Sequence, residues 1–224
     1  MQALSALGKS GAPLRVLCLG AHSDDIEIGC GGLILDLLSR SAAVEVDWVV
    51  FSARVERRAE ARRSAALFLK GARKKRVRVE NFRDGFFPYQ GARIKRVFEE
   101  LKKQPAPDLV LTHYRDDRHQ DHRVLSDLAW NTFRNHWILE YEIPKFDGDL
   151  GVPNCFVPLD RSTCDRKVEY LKTAFASQWE KHWFTAETFM GLMRLRGMEC
   201  CAEYAEAFYG RKTVLDLSQG MRKR

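Results

Sequence analysis

Along this 224-residue chain, short apolar runs alternate with stretches of helical spacing. "LRVLCLG" from Leu14 is almost uniformly apolar and reads as a buried strand, followed by a helix over "IEIGCGGLILDLLSR". The pattern repeats with "VEVDWVVFSA" as a second strand, "RRAEARRSAALFL" as a helix and "RVRVENF" as a third strand. Then come "ARIKRVFEELKKQ", a helix stopped by Pro105 and Pro107, and "PDLVLTH", a fourth strand ending at His113. Such alternation predicts an α/β fold with a mostly parallel sheet and helices on both faces, in which ligands bind at the carboxyl ends of the strands.

Two polar clusters break this pattern, both where a strand ends. "LGAHSDDIE" follows the first strand with His22, Asp24, Asp25 and Glu27, and "HYRDDRHQDHR" closes the fourth with His113, Asp116, Asp117, His119, Asp121 and His122. Either cluster alone is explained by capping and turn chemistry. Two at one sheet edge point to a metal site, because His and carboxylate are ligands for first-row cations and a catalytic zinc typically takes three protein ligands. His22, Asp25 and His122 supply that set.

Length and composition keep this reading simple. The expected organisation is a loose tail over 1–13, one domain over 14–217 and a basic tail over 218–224. No run approaches the roughly 20 apolar residues of a membrane span, and the start of the chain lacks a secretory pattern. Cys18, Cys30, Cys155, Cys164, Cys200 and Cys201 show no C-x-x-C spacing and fit reduced thiols, so a cytoplasmic protein is expected. The charge of +7 is uneven: Arg54 to Arg78 holds eleven Arg or Lys against Glu56 and Glu60, a net +9. A solvated helix face is the plain explanation of that excess, and contact with an anionic substrate, through Arg57, is the functional one.

The motifs carry a family resemblance. "AHSDDIEIGCGG" is similar to the A-H-P-D-D-x-E-x-G-x-G-G signature of LmbE-like or PIG-L-type de-N-acetylases, and "HQDH" resembles their H-x-D-H. "RRAE", "RDGFF", "PDLVLTH" and "RGMECCAEYAEAF" extend the likeness from Leu14 to Phe208. The resemblance implies a Rossmann-like three-layer α/β/α sandwich and a hydrolase, usually zinc-dependent with Fe2+ as another divalent option. Its reaction removes acetyl from an N-acetylglucosamine-type conjugate, a small-molecule partner. It makes His22, Asp25 and His122 the metal ligands, Asp24 the general base and His119 the stabiliser of the oxyanion and donor to the leaving amine. Asp121 then orients a histidine from behind. Arg57 matches the family's R-x-x-E and is assigned to substrate, as, more weakly, is Tyr204 in "YAEAF".

Some positions depart from the family or read more plainly. Ser23 stands where the family has proline, and Asp117 where some relatives have tyrosine. "YEIPKFDGDLGVPNCFVPL", Tyr141 to Leu159, reads as a lid or substrate-defining loop whose Glu142, Lys145 and Asp147 face sugar hydroxyls or solvent. Glu27 is expected to support the site or favour the start of the helix, and Gly29, Gly31 and Gly32 to allow close helix–sheet packing. "KHWFTAETFMGLMRLRG" reads as core or as a homo-oligomer interface, and His136 and His182 as structural. Two rival functions are a metal-dependent phosphoesterase, which usually needs more carboxylate ligands, and a nucleic-acid-binding protein, which would leave the His-Asp clusters idle.

Overall fold

The computed structural model describes residues 12–214, apart from Ala42 and the side chain of Glu56. The expected tails at 1–13 and 218–224 lie outside that range but for Ala12 and Pro13. Seven strands form one sheet: β1 (Leu14–Gly20), β2 (Val44–Val50), β3 (Lys74–Val79), β4 (Leu109–His113), β5 (Trp137–Tyr141), β6 (Cys155–Leu159) and β7 (Tyr204–Tyr209). The helices are α1 (Asp25–Arg40), α2 (Val55–Phe68), α3 (Gly91–Lys102), α4 (Gln120–Thr132), α5 (Arg161–Ala174) and α6 (Ala186–Glu199).

The sheet order is β3-β2-β1-β4-β5-β7-β6. Strands β1 to β5 pair in parallel, whereas β7 runs antiparallel to both β5 and β6. Alternation within the strands serves two cores. Leu14, Val16 and Cys18 of β1 face the side closed by α1, α2, α5 and α6, and Leu17 and Leu19 face the side closed by α3 and α4. With a helical layer on each face, β1 and β4 are buried on both sides, which is why they read as continuous apolar runs. The fold is the expected three-layer α/β/α sandwich.

Strand order reverses at β1: the chain first moves outward to β2 and β3, then returns to place β4 on the other side of β1. Both strands end at one crevice, the usual position of a ligand in an open α/β sheet.

The expected lid at 141–159 is shorter than its composition suggested. Tyr141 closes β5 and Cys155–Leu159 is an edge strand, leaving 142–154 as the loop. Pro158 obscured that strand, although an edge position tolerates proline because one row of backbone groups needs no partner. Glu142 does not face a substrate: it forms a buried ion pair with Arg196 at 2.7 Å. Helix α6 buries Phe189 and Met193 in the core, and Cys200 and Cys201 fall just beyond its end rather than on it.

Helix α1 carries a break that a buried ion pair repairs. Cys30 leaves helical geometry (φ −145°, ψ 17°), which frees backbone groups on either side. Glu206 accepts the Gly32 and Leu33 amides, each at 2.7 Å, while Lys167 donates to the Ile28 carbonyl at 2.6 Å and to Glu206 at 2.7 Å. The glycines allow the close approach: a Cβ on Gly29 would meet the Tyr141 ring at 2.1 Å, and one on Gly32 would meet Leu159 at 2.5 Å. Lys167→Met should therefore leave Glu206 as an uncompensated buried charge and cost about 3–5 kcal/mol in a urea unfolding series. A loss below about 1 kcal/mol would show that the pair does not secure the break.

Candidate metal centre

The crevice residues come from three segments. His22 and Asp24 lie in the turn between β1 and α1, Asp25 opens α1, and His119 caps α4, whose first turn holds Asp121 and His122. The end of β4 is fastened to the turn after β1, since the Ala21 amide donates to His113 Nε2 at 2.9 Å.

Three atoms converge. His22 Nδ1 and His122 Nε2 are 3.2 Å apart, His22 Nδ1 and Asp25 Oδ2 are 3.3 Å apart, and His122 Nε2 and Asp25 Oδ2 are 3.5 Å apart. A tetrahedral ion with bonds of about 2.0–2.2 Å separates its ligand atoms by roughly 3.3–3.6 Å. The triangle therefore fits one first-row divalent cation with a fourth position to spare. His113 Nε2 also approaches Asp25 Oδ2, at 3.3 Å, but that nitrogen already accepts the Ala21 amide. A nitrogen of His119 lies within 4.8 Å of ligand nitrogens on His22 and His122, so the third imidazole borders the same space.

Each imidazole is oriented from behind. His122 Nδ1 contacts Asp117 Oδ2 at 2.8 Å, and His22 Nε2 lies 3.1 Å from Asp84 Oδ1 and 3.3 Å from Asp121 Oδ2, which leaves the facing nitrogens free to bind. Asp121 is itself fixed by the Gly85 and Phe87 amides at 2.7 and 3.1 Å. It serves His22 rather than His119, whose Nδ1 instead accepts the Asp121 backbone amide at 3.2 Å. Asp117 is held further by Lys145 at 3.0 Å. Its position in the sequence was noted only as a departure, and nothing local announces a partner five residues ahead.

The electrostatics suit a cation. Burial disfavours ionised Asp25, yet His122, His22 and His113 hold its carboxyl well below the usual range. Burial likewise opposes the His22 imidazolium, but Asp25, Asp121 and Asp84 raise its pKa well above 6.5. Burial and His113 push His122 down to about 3, and burial and His22 lower His119, so both are neutral near pH 7. The centre thus holds one proton on His22 among carboxylates, in a place where a divalent ion can replace it.

Arg57 makes internal contacts that its place in the sequence does not announce. Its Nη2 lies 3.0 Å from Asp24 Oδ1, and its Nε lies 3.8 Å from Glu60, which accepts from the Ser177 amide and hydroxyl at 2.9 and 2.6 Å. Arg57 therefore braces Asp24, although it also lines a cleft of about 240 Å³ with His22, Ser23 and Asp84. Tyr204 is not brought to the centre. It begins β7, where its hydroxyl accepts from Arg161 at 3.2 Å. Ser23 is buried with no hydrogen bond to its hydroxyl among the described residues. Glu27 is fully buried with neither oxygen bonded among the described residues, and burial pushes its carboxyl well up.

Fold and site together define an α/β sandwich with a His-Asp cluster able to hold a cation at the reversal of its sheet. Residues 17–133 match the family model described as PIG-L: GlcNAc-PI de-N-acetylase, and the chain belongs to that family. Solved structures share the fold. The conserved protein TT1542 from Thermus thermophilus is 21% identical, with a TM-score of 0.71 over 94% of this chain and 100% of that one. N,N'-diacetylchitobiose deacetylase from Pyrococcus horikoshii is 22% identical, with a TM-score of 0.63 over 87% and 82%. GalB, the 4-carboxy-2-hydroxymuconate hydratase from Pseudomonas putida, is 18% identical, with a TM-score of 0.65 over 91% and 98%.

Two measurements check the centre. Asp117→Asn keeps the shape but removes the charge behind His122, and should weaken affinity for zinc by about 10- to 100-fold in a chelator competition. Because His22 keeps its proton well above pH 6.5, cation uptake should release a proton and tighten as pH rises through neutrality. Calorimetry in buffers of different ionisation heat reads that release directly, and a heat independent of buffer would overturn the assignment of His22.

Proposed function

We propose that the protein is a divalent-metal-dependent hydrolase that removes the acetyl group from an N-acetylated amino sugar of the N-acetylglucosamine type, giving acetate and a free amine. The observation that carries this reading is the triangle of His22 Nδ1, Asp25 Oδ2 and His122 Nε2, with separations of 3.2 to 3.5 Å, beside a braced carboxylate and a third imidazole. The family membership and the deacetylase among the structural neighbours support it. The hydratase neighbour means that the fold alone does not choose the reaction, so the side chains must.

His22, Asp25 and His122 would hold Zn2+, or another divalent ion such as Fe2+, which when bound polarises a carbonyl and makes water more acidic. Asp24 takes the proton of the attacking water and, in place of His119, whose pKa is lowered by burial and His22, delivers it to the departing nitrogen as the C–O bond forms and the C–N bond breaks. Arg57 holds the Asp24 carboxylate in place for both transfers, a task that needs orientation as much as basicity. In neutral His119, Nδ1 accepts the Asp121 amide, so the proton sits on Nε2, a donor for the oxygen that gains negative charge. His22, Asp84 and Asp121 form a second group able to hold a cation, but both carboxylates face the same His22 Nε2 and Asp121 already accepts two backbone amides, so we favour one cation over the pair used by many phosphoesterases. No helix among the described residues is long and apolar enough to cross a membrane, and the six free thiols suit the cytoplasm.

Acetate release from N-acetylglucosamine derivatives by the zinc-loaded protein tests the reading. Asp24→Asn should lower turnover by roughly 10²–10⁴-fold with the metal content unchanged, and His119→Ala should do likewise. Near-native turnover in either variant would remove that residue from the mechanism. Failure of the native protein to release acetate from any acetamido sugar would remove the reaction itself.

A further inference from the structure

The cleft beside His22 does not end at the metal centre. It shares Ser52, Ala53, Arg54 and Asp84 with a second, larger cleft of about 560 Å³, so one continuous hollow leads from the centre to the surface. The outer part is walled by Arg54, Arg58 and Arg83. The one carboxylate among its described lining residues, Asp84, already faces His22 Nε2 at 3.1 Å.

Three arginines of the basic stretch have carboxylate partners: Arg76 pairs with Asp47, Arg78 with Glu80 and Glu100, and Arg57 with Asp24. Arg54, Arg58 and Arg83 make no ion pair within 4 Å among the described residues, and Arg54 acts on Asp84 only at longer range, helping to lower its carboxyl pKa. Arg58 carries a buried Nε with no hydrogen bond among the described residues. Arg83 lies over the Phe86 ring at 3.6 Å, a stacked position that fixes the guanidinium plane and leaves its edge able to meet two oxygens at once. Three guanidinium groups around a hollow of this size suit the anionic part of a small molecule, since ligand pockets run to about 300–1,000 Å³.

We infer that the acetamido sugar is anionic and that Arg54, Arg58 and Arg83 seat its phosphate or carboxylate group while the acetamide reaches the metal centre. The inference rests on the deacetylase reading for the sugar, but the anion seat is read from the hollow and its arginines alone. It also moves the substrate charge contact outward from Arg57, which lies 3.0 Å from Asp24, to three arginines that make no ion pair among the described residues.

The test compares three acetamido sugars: neutral N-acetylglucosamine, N-acetylglucosamine 1-phosphate and N-acetylmuramic acid, which carries a carboxylate. The variants are Arg54→Gln, Arg58→Gln and Arg83→Gln, with Arg58→Lys as a charge-preserving control should Arg58→Gln fail to fold. The native protein should prefer one of the anionic sugars, and each Gln variant should lower kcat/KM for that sugar by about tenfold to a hundredfold while changing the neutral sugar by less than about twofold. Which anionic sugar suffers separates phosphate from carboxylate. No preference in the native protein, or equal losses on all three sugars, would overturn the inference. Calorimetry on metal-stripped protein with the same two anionic sugars separates this inference from the deacetylase reading. Arginine-dependent binding without acetate release would keep the anion seat and sink the reaction, whereas acetate release without arginine-dependent binding would do the reverse. Absence of both would overturn both.

Discussion

Charge buried away from water has to be compensated on the spot, and that constraint shapes the edge of this sheet. Asp24, Asp25, Asp117 and Asp121 are all buried there, together with His113 and His122. An uncompensated carboxylate in such a place costs several kcal/mol. Each has found a partner: Asp24 has Arg57, Asp117 has His122 and Lys145, Asp121 has two backbone amides, and Asp25 accepts the His22 amide at 2.6 Å. The partners come from elements that the sheet order had to bring together first. Parallel β1 and β4 set the crevice, the His113–Ala21 contact ties their ends, and only then do the first turns of α1 and α4 meet with their ligands facing each other. The proton held by His22 is the remainder of this balance, and a divalent ion is the natural replacement for it.

What was legible in the sequence follows from the range of the interactions involved. The first four strands and three helices announce themselves because burial on both faces writes an apolar run, and helix packing on one face writes a 3.6-residue period. Pairing of His22 and Asp25 with His122 was legible because both motifs sit at strand ends, and strand ends of a parallel sheet share an edge. The bracing layer was not. Asp117 serves His122 through a turn, Arg57 reaches Asp24 across two elements, and Glu206 repairs a helix 174 residues earlier in the chain. No local periodicity encodes such contacts. Strand β6 was hidden for another reason: Pro and Gly around it resemble a loop, and an edge strand lacks the constraint that would have excluded Pro158. Tyr204, noted for its chemistry, illustrates the converse. A polar aromatic on a buried strand satisfied its hydroxyl locally, through Arg161.

The basic stretch divides into parts with different physical roles. Strand β3 is an edge of the sheet, and Lys74, Lys75, Arg76 and Arg78 along it discourage pairing with another strand, as charged edges do in many β-sheets. The start of α2 instead turns Arg54, Arg57 and Arg58 toward the hollow that leads to the metal centre. Composition cannot separate these roles, because an arginine that protects an edge and one that seats an anion contribute the same charge. Their partners do separate them. Arg76 and Arg78 on β3 have carboxylate partners, whereas Arg54, Arg58 and Arg83 line the hollow and make no ion pair among the described residues.

That division bears on how one fold serves both a deacetylase and a hydratase among its neighbours. Hydration and amide hydrolysis both need water brought to an electrophilic carbon, and a cation held by His and Asp would answer that need without specifying the carbon. Selection then falls to groups outside the centre, through two demands that the chain meets separately. One is proton traffic: cleavage of an amide leaves a basic nitrogen that must be protonated, and a carboxylate fixed beside the ligands by an internal arginine is suited to carry a proton from water to that nitrogen. The other is placement: the reacting carbonyl must be held at the centre by contacts remote from it, so binding far from the scissile bond contributes to rate as well as affinity. On the proposed reading, Arg57 serves the first demand and Arg54, Arg58 and Arg83 the second. Neighbours in sequence on the first turn of one helix, Arg57 and Arg58 both line the hollow, but only Arg57 has a carboxylate, Asp24, within ion-pair distance among the described residues.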